Sequence, residues 1–143
     1  MMKISARNIF QGKVSEVKAG AVNTEIEVSL GGEDKIIAQV TNTSAQRLGL
    51  AKGKAVTALV KASSVLVMTD DSGLALSARN ILTGKVTKVS NGQVASEIAI
   101  TLSSGETVHA TITHEAVSEL GIKEGSQASG VFKASSVILG VSK

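Results

Sequence analysis

Two short polar motifs carry the chemistry this sequence can offer. Ser5-Ala6-Arg7-Asn8-Ile9 and Lys61-Ala62-Ser63-Ser64-Val65 both recur 72 positions later, as Ser77-Ala78-Arg79-Asn80-Ile81 and Lys133-Ala134-Ser135-Ser136-Val137. Their polar side chains are hydroxyls, an amide, a guanidinium and an ammonium, a set rich in hydrogen-bond donors and without a carboxylate. Such a set suits an anion. An oxyanion is held by hydroxyls, amides, backbone N–H groups and cations that together replace its water shell. The small residues nearby, Ala6, Ala62, Gly12 and Gly20, let backbone amides approach a compact ligand. Read alone, each motif has a plainer meaning: Ser-Ala-Arg-Asn as the polar lead-in to a strand, Lys-Ala-Ser-Ser-Val as a tight connection with a solvated lysine. Their survival in two copies whose intervening segments have diverged favours a binding role.

Catalysis is poorly supplied. His109 and His114 are the only histidines, and Ile37 and Asn42 stand at the matching positions of the other copy, so a repeated site does not depend on them. With no cysteine and no close His-Asp-Glu cluster, a transition-metal cation site is not expected. Ser63 and Ser135 lack a repeated base that would make either a nucleophile. The chain is read as a non-enzyme with no cofactor.

Other repeated features have local explanations. Gly20-Ala21-Val22 and Gly92-Gln93-Val94 read as turns into the second strand of each copy, with a secondary reading as backbone donors. Glu25 and Glu97 are expected to face solvent or pair with a lysine, His109 to sit on an exposed strand face, and His114 in the first turn of a helix.

The elements that position these residues follow from periodicity. Strict alternation over 25–30 and 97–102 puts Ile26, Val28 and Leu30, and Ile98, Ile100 and Leu102, on one face of half-buried strands. Residues 35–40 and 107–112 read likewise, joined to them through hairpin turns at Gly31-Gly32 and Ser104-Gly105. Gly12 and Gly84 interrupt the first strand of each copy, marking a bulge or a close backbone approach. Thr113 is a candidate N-cap, Ala116, Val117 and Leu120 have helical spacing, and Gly121 suits the helix end. Residues 55–61 and 64–68, with counterparts at 127–133 and 136–141, complete five strands and one short helix per copy. The expectation is a mainly β chain, a tandem pair of OB-like five-stranded barrels. The first domain spans 1–69, the polar 70–73 segment links, and the second spans 74–143.

Each copy is near the size at which a lone domain is marginally stable, and there are no disulfides to staple it, so packing against further domains and an oligomer are expected. Hydrophobic residues make up 43 % of the chain, yet the only aromatics are Phe10 and Phe132. A nucleic-acid-binding OB module usually stacks bases on aromatics, so that reading is disfavoured. The net charge of +3 is mild and scattered, helpful to an anionic ligand without demanding nucleic acid. No apolar stretch approaches membrane-spanning length and the first residues lack a signal-peptide core, so a soluble cytoplasmic protein is expected.

In this order and twice over, Ser-Ala-Arg-Asn, Gly-Lys-Val, the Glu-Ile strand, the Leu-Gly helix end and Lys-Ala-Ser-Ser-Val resemble the molybdate-binding Mop family. These are the molbindins, whose domains also occur as the TOBE-type extension of molybdate-responsive proteins. The likeness covers nearly the whole chain. It implies reversible binding of molybdate and tungstate for storage and homeostasis, three two-domain chains in a ring, and oxyanions held at interfaces between domains. Carried over position by position, it assigns Ser5, Arg7, Asn8, Lys61, Ala62 and Ser63 to one site and Ser77, Arg79, Asn80, Lys133, Ala134 and Ser135 to the other. Arg7 and Arg79 are alternatively subunit contacts. Gly20, Ala21, Val22, Gly92, Gln93 and Val94 are weaker backbone candidates. An oxyanion-dependent sensor that contacts another protein is the alternative role.

Overall fold

A computed structural model describes residues 2–143. The first half forms β1 (Asn8–Ala19), β2 (Asn23–Gly31), β3 (Asp34–Thr41), helix α1 (Asn42–Arg47) and β4 (Ala55–Val60), then a 3₁₀ turn at Ala62–Ser64 and β5 (Leu66–Met68). The second half repeats the order with β6 (Asn80–Ser90), β7 (Ala95–Thr101), β8 (Thr107–Thr113), α2 (His114–Leu120), β9 (Gln127–Phe132), a 3₁₀ turn at Ala134–Ser136 and β10 (Ile138–Gly140).

Local sequence accounts for most of this. In β2 and β7 the alternation buries Ile26, Val28, Ile98 and Ile100 completely. The Thr113 side chain accepts the Ala116 N–H, and Gly121 closes α2 in the left-handed conformation, φ 63°, that glycine tolerates. Gly12 and Gly84 prove to be close approaches rather than bulges. A Cβ on Gly12 would lie 2.5 Å from the Ser29 carbonyl oxygen, whereas the register shifts further along, between Val14 and Glu16.

The connectivity departs from the expected pair of self-contained barrels. The two five-stranded sheets have the orders β10-β4-β1-β2-β3 and β5-β9-β6-β7-β8, so each half lends its last strand to the other. β10 also packs against β3, and β5 against β8, curling each sheet toward closure. The Lys-Ala-Ser-Ser-Val segment explains the exchange. A tight hairpin needs positive-φ residues at its corner. Among the described residues, however, the only non-glycine with positive φ is Ser72, so the 3₁₀ turns carry the chain onward rather than back. Asp70 and Asp71 accept the N–H groups of Ser72 and Gly73, respectively, in the turn that follows β5.

The cores are near copies with their bulk rearranged. Phe10 stands opposite Ala58 on β4 in the first sheet, whereas in the second Leu82 stands opposite Gly130 and the aromatic ring comes from Phe132. Both phenylalanines are buried. A Cβ on Gly130 would meet Val65 as well as Val108, which shows the exchanged segment filling the other half's interior.

Candidate functional site

Strand register unites the two motifs of each half. Asn8 on β1 pairs with Val60 on β4, and Asn80 on β6 with Phe132 on β9, so Arg7 and Asn8 lie beside Lys61, and Arg79 and Asn80 beside Lys133. Each cluster sits on the opposite half. The Ala62–Ser64 turn packs on β8 and the Ala134–Ser136 turn on β3. The repeated residues thus meet at two joints between the halves, related by the internal duplication.

The asparagines make these joints and are not free donors. Asn8 is 1 % exposed; its Nδ2 donates to the His109 carbonyl at 2.8 Å and its Oδ1 accepts the His109 N–H at 2.6 Å. Asn80 does the same to Ile37, with both bonds at 2.8 Å. Each amide acts as one residue of a β-ladder on the edge strand β8 or β3, satisfying buried backbone groups that would otherwise be costly. The side-chain amides of Asn8 and Asn80, expected among the oxyanion donors, are thus engaged at the joints in the single chain.

The arginines bridge the same joints. Arg7 Nη1 lies 2.6 Å from Glu97 Oε2 and Arg79 Nη1 lies 2.5 Å from Glu25 Oε2. Glu25 and Glu97, expected to face solvent or pair with lysine, therefore pair with arginine from the other half. These ion pairs are more than half exposed on the arginine side, so each adds at most about 1 kcal/mol to stability. Their exposed guanidiniums remain positive surface at the joints.

Lys61, Ser63, Lys133 and Ser135 are exposed, as are Ser5 and Ser77, while Ala62 and Ala134 are buried. In the first turn Ser64 N–H donates to the Lys61 carbonyl and Val65 N–H to the Ala62 carbonyl. The amides of Ala62 and Ser63 stay outside the turn's own bonds. The second turn repeats this with Ser136 and Val137. Ammonium, hydroxyl and backbone N–H groups are thus grouped within three residues, beside a guanidinium.

The weaker candidates lie elsewhere. Gly20-Ala21-Val22 and Gly92-Gln93-Val94 follow the far ends of β1 and β6, away from their own half's arginine. Gly20 N–H donates to the Asn23 carbonyl, while the Val22 and Val94 carbonyls accept the first N–H of α1 and α2. They form turns that anchor helices.

His109, expected on an exposed strand face, belongs instead to a joint. Its side chain is 26 % exposed, with Nδ1 buried, unpartnered and 3.5 Å from Glu97 Oε1. No signal in the sequence marks it, because its partners lie on another strand and in the other half. His114 occupies the first position of α2, as expected. Among the described residues no group of three or more His, Cys, Asp or Glu side chains is placed to hold a metal ion.

The geometry can be set beside known proteins. The TOBE domain profile matches residues 4–67 and again 76–139. This chain belongs to the TOBE-domain family. It is 41 % identical over 140 residues to the molybdenum transport protein ModE of Herbaspirillum seropedicae and 40 % identical over 138 residues to the molybdenum-pterin-binding protein MopA of Rhodobacter capsulatus. These alignments cover 98 % and 96 % of the chain but 52 % of each relative, so the chain spans about half the length of the curated relatives it matches. A crystal structure of the cytoplasmic molybdate-binding protein ModG, with molybdate bound, superposes with a TM-score of 0.95 at 56 % identity, covering 99 % of this chain and 100 % of that one. The tandem TOBE arrangement is thus shared along that whole structure. Among the described residues no helix is long and apolar enough to cross a membrane.

Proposed function

We propose that this TOBE-family protein reversibly binds molybdate, and tungstate as its larger analogue, and stores and releases the oxyanion unchanged in the cytoplasm. The observation that carries this reading is the grouping, twice, of an exposed lysine, a serine hydroxyl and unengaged backbone amides beside an arginine at a joint between halves. Likeness to a molybdate-loaded protein over the entire chain supplies the identity of the anion. Ser5, Arg7, Lys61, Ala62 and Ser63 form one donor set; Ser77, Arg79, Lys133, Ala134 and Ser135 form the other. Neutral donors in most contacts keep release possible, and selection against sulfate rests on cavity size. The reading requires no resident cofactor and no catalysis.

The active form is an oligomer of these chains, a trimer with oxyanions at its interfaces. Supporting this, each sheet carries exposed apolar side chains flanking a buried one across neighbouring strands, Ile9 and Ile138 about Leu59 in one and Ile81 and Leu66 about Val131 in the other. Ile138 and Leu66 are 63 % and 66 % exposed in the single chain. Ligand held between chains stabilises their assembly by linkage.

Calorimetric titration with molybdate, tungstate, sulfate and phosphate tests the reading. Heat with the first two at far lower concentrations than with sulfate is expected, and equal affinity for sulfate, or no heat with molybdate, contradicts it.

A second reading, an oxyanion-dependent regulatory module, draws on the relatives named as ModE, of which this chain matches about half. A partner protein captured only in the presence of molybdate would favour it. Burial of Phe10 and Phe132 speaks against base stacking as the function.

A further inference from the structure

The two joints share a framework and differ in charge. Residues directly opposite on neighbouring strands share a face. On the sheet that receives Arg79, the row across β1, β2 and β3 is Glu16–Glu27–Ile37. On the sheet that receives Arg7, the corresponding row across β6, β7 and β8 is Lys88–Ala99–His109. The first row faces the joint directly, because Glu16, Glu27 and Ile37 line one small polar cavity of about 110 Å³ with Glu25, Lys18 and Arg79. On the other side His109 reaches Glu97, the partner of Arg7.

The neighbouring positions do not cancel the difference. On the Arg79 side, Glu16, Glu25 and Glu27 face Lys18 and Lys35, with Lys35 Nζ 3.4 Å from Glu27. On the Arg7 side the corresponding positions hold only Glu97 and Lys88 as fixed charges; Ser90, Ala99 and Thr107 stand where the first copy has Lys18, Glu27 and Lys35. With its arginine, the first joint is neutral and the second is one charge more positive, counting histidine as neutral. A dianion senses that difference twice over.

We infer that the joint formed by Arg7 and Lys61–Ser63 on the Lys88–His109 face binds oxyanion more tightly than its twin, and that Lys88 and Glu16 set the inequality. This rests on the oxyanion reading above. One charge at roughly 10 Å from a dianion changes affinity about threefold at low salt, and reversing a residue's sign, a change of two charges, about tenfold. Both residues are exposed, so their replacement leaves the core intact.

The test is calorimetric titration of the full-length chain with molybdate at low salt and at about 0.5 M salt, where charges are screened. Two affinity classes are expected in the unmodified protein, converging at high salt. Lys88→Glu should weaken the tighter class about tenfold and leave the other unmoved; Glu16→Lys should tighten the weaker class by a similar factor. Molybdate binding in a single class, or two classes that neither substitution moves, overturns the inference while leaving the oxyanion reading standing. No molybdate binding by the unmodified protein overturns that reading itself.

Discussion

The joint around Arg7 and the joint around Arg79 were once the same structure, and what they have kept differs from what they have lost. Kept are the asparagine that completes a ladder on the facing edge strand, the arginine–glutamate pair and the Lys-Ala-Ser turn. Lost is the likeness of the facing sheet, where Ile37 became His109, or the reverse, and Glu16 corresponds to Lys88. Groups that join the halves or present donors are constant, while the surroundings vary. The framework of a site and its field are separately adjustable.

The largest effects are expected in the cores beneath the joints. Phe10→Ala and Phe132→Ala should each cost about 3–5 kcal/mol in urea unfolding. Similar costs are expected, since each ring fills one half; a much smaller cost at either position would mean that the two halves do not share the core's work equally. Next come the asparagines. Asn8→Leu and Asn80→Leu strand a buried N–H and a buried carbonyl each, at about 2–4 kcal/mol. A loss below about 1 kcal/mol in either would show that the amide ladder is dispensable there.

Binding is sharper than stability for separating framework from site. Lys133→Ala and Ser135→Ala should lower the number of oxyanions bound per chain, read by dialysis against labelled molybdate, while unfolding shifts by no more than about 0.5 kcal/mol. Unchanged stoichiometry in both would place the site elsewhere. The smallest effect belongs to the ion pairs: a double-mutant cycle on Arg7 and Glu97 should return about 0–1 kcal/mol of coupling, and the cycle on Arg79 and Glu25 the same. A coupling of several kcal/mol at one of them would show that it is desolvated in the assembled protein.

Much of this was legible in the sequence where the cause is local. The alternation of β2 and β7, the hairpin glycines and the Thr113-to-Gly121 helix depend on neighbours within a few residues, and all appear where expected. The repeat also announced which residues matter together, and strand register then placed Arg7 beside Lys61. What escaped is set by partners far away in the chain. Asn8 looks like a free donor until the backbone of His109 is brought against it. Glu25 and Glu97 look solvated until the opposite arginine arrives. The exchange of β5 and β10 escaped for a related reason: two short strands around a small turn read as a hairpin unless the turn's backbone is known to keep negative φ. The rearranged aromatics, Phe10 in one core and Phe132 in the other, keep total bulk while defeating position-by-position comparison.

Anomalous diffraction near the molybdenum absorption edge, from crystals of the molybdate-soaked protein, locates the bound oxyanion itself. Molybdenum peaks are expected beside the Lys61–Ser63 and Lys133–Ser135 turns, within hydrogen-bonding reach of their backbone amides. Peaks only at the Gly20–Val22 and Gly92–Val94 turns, or none at all at saturating molybdate, would contradict this placement.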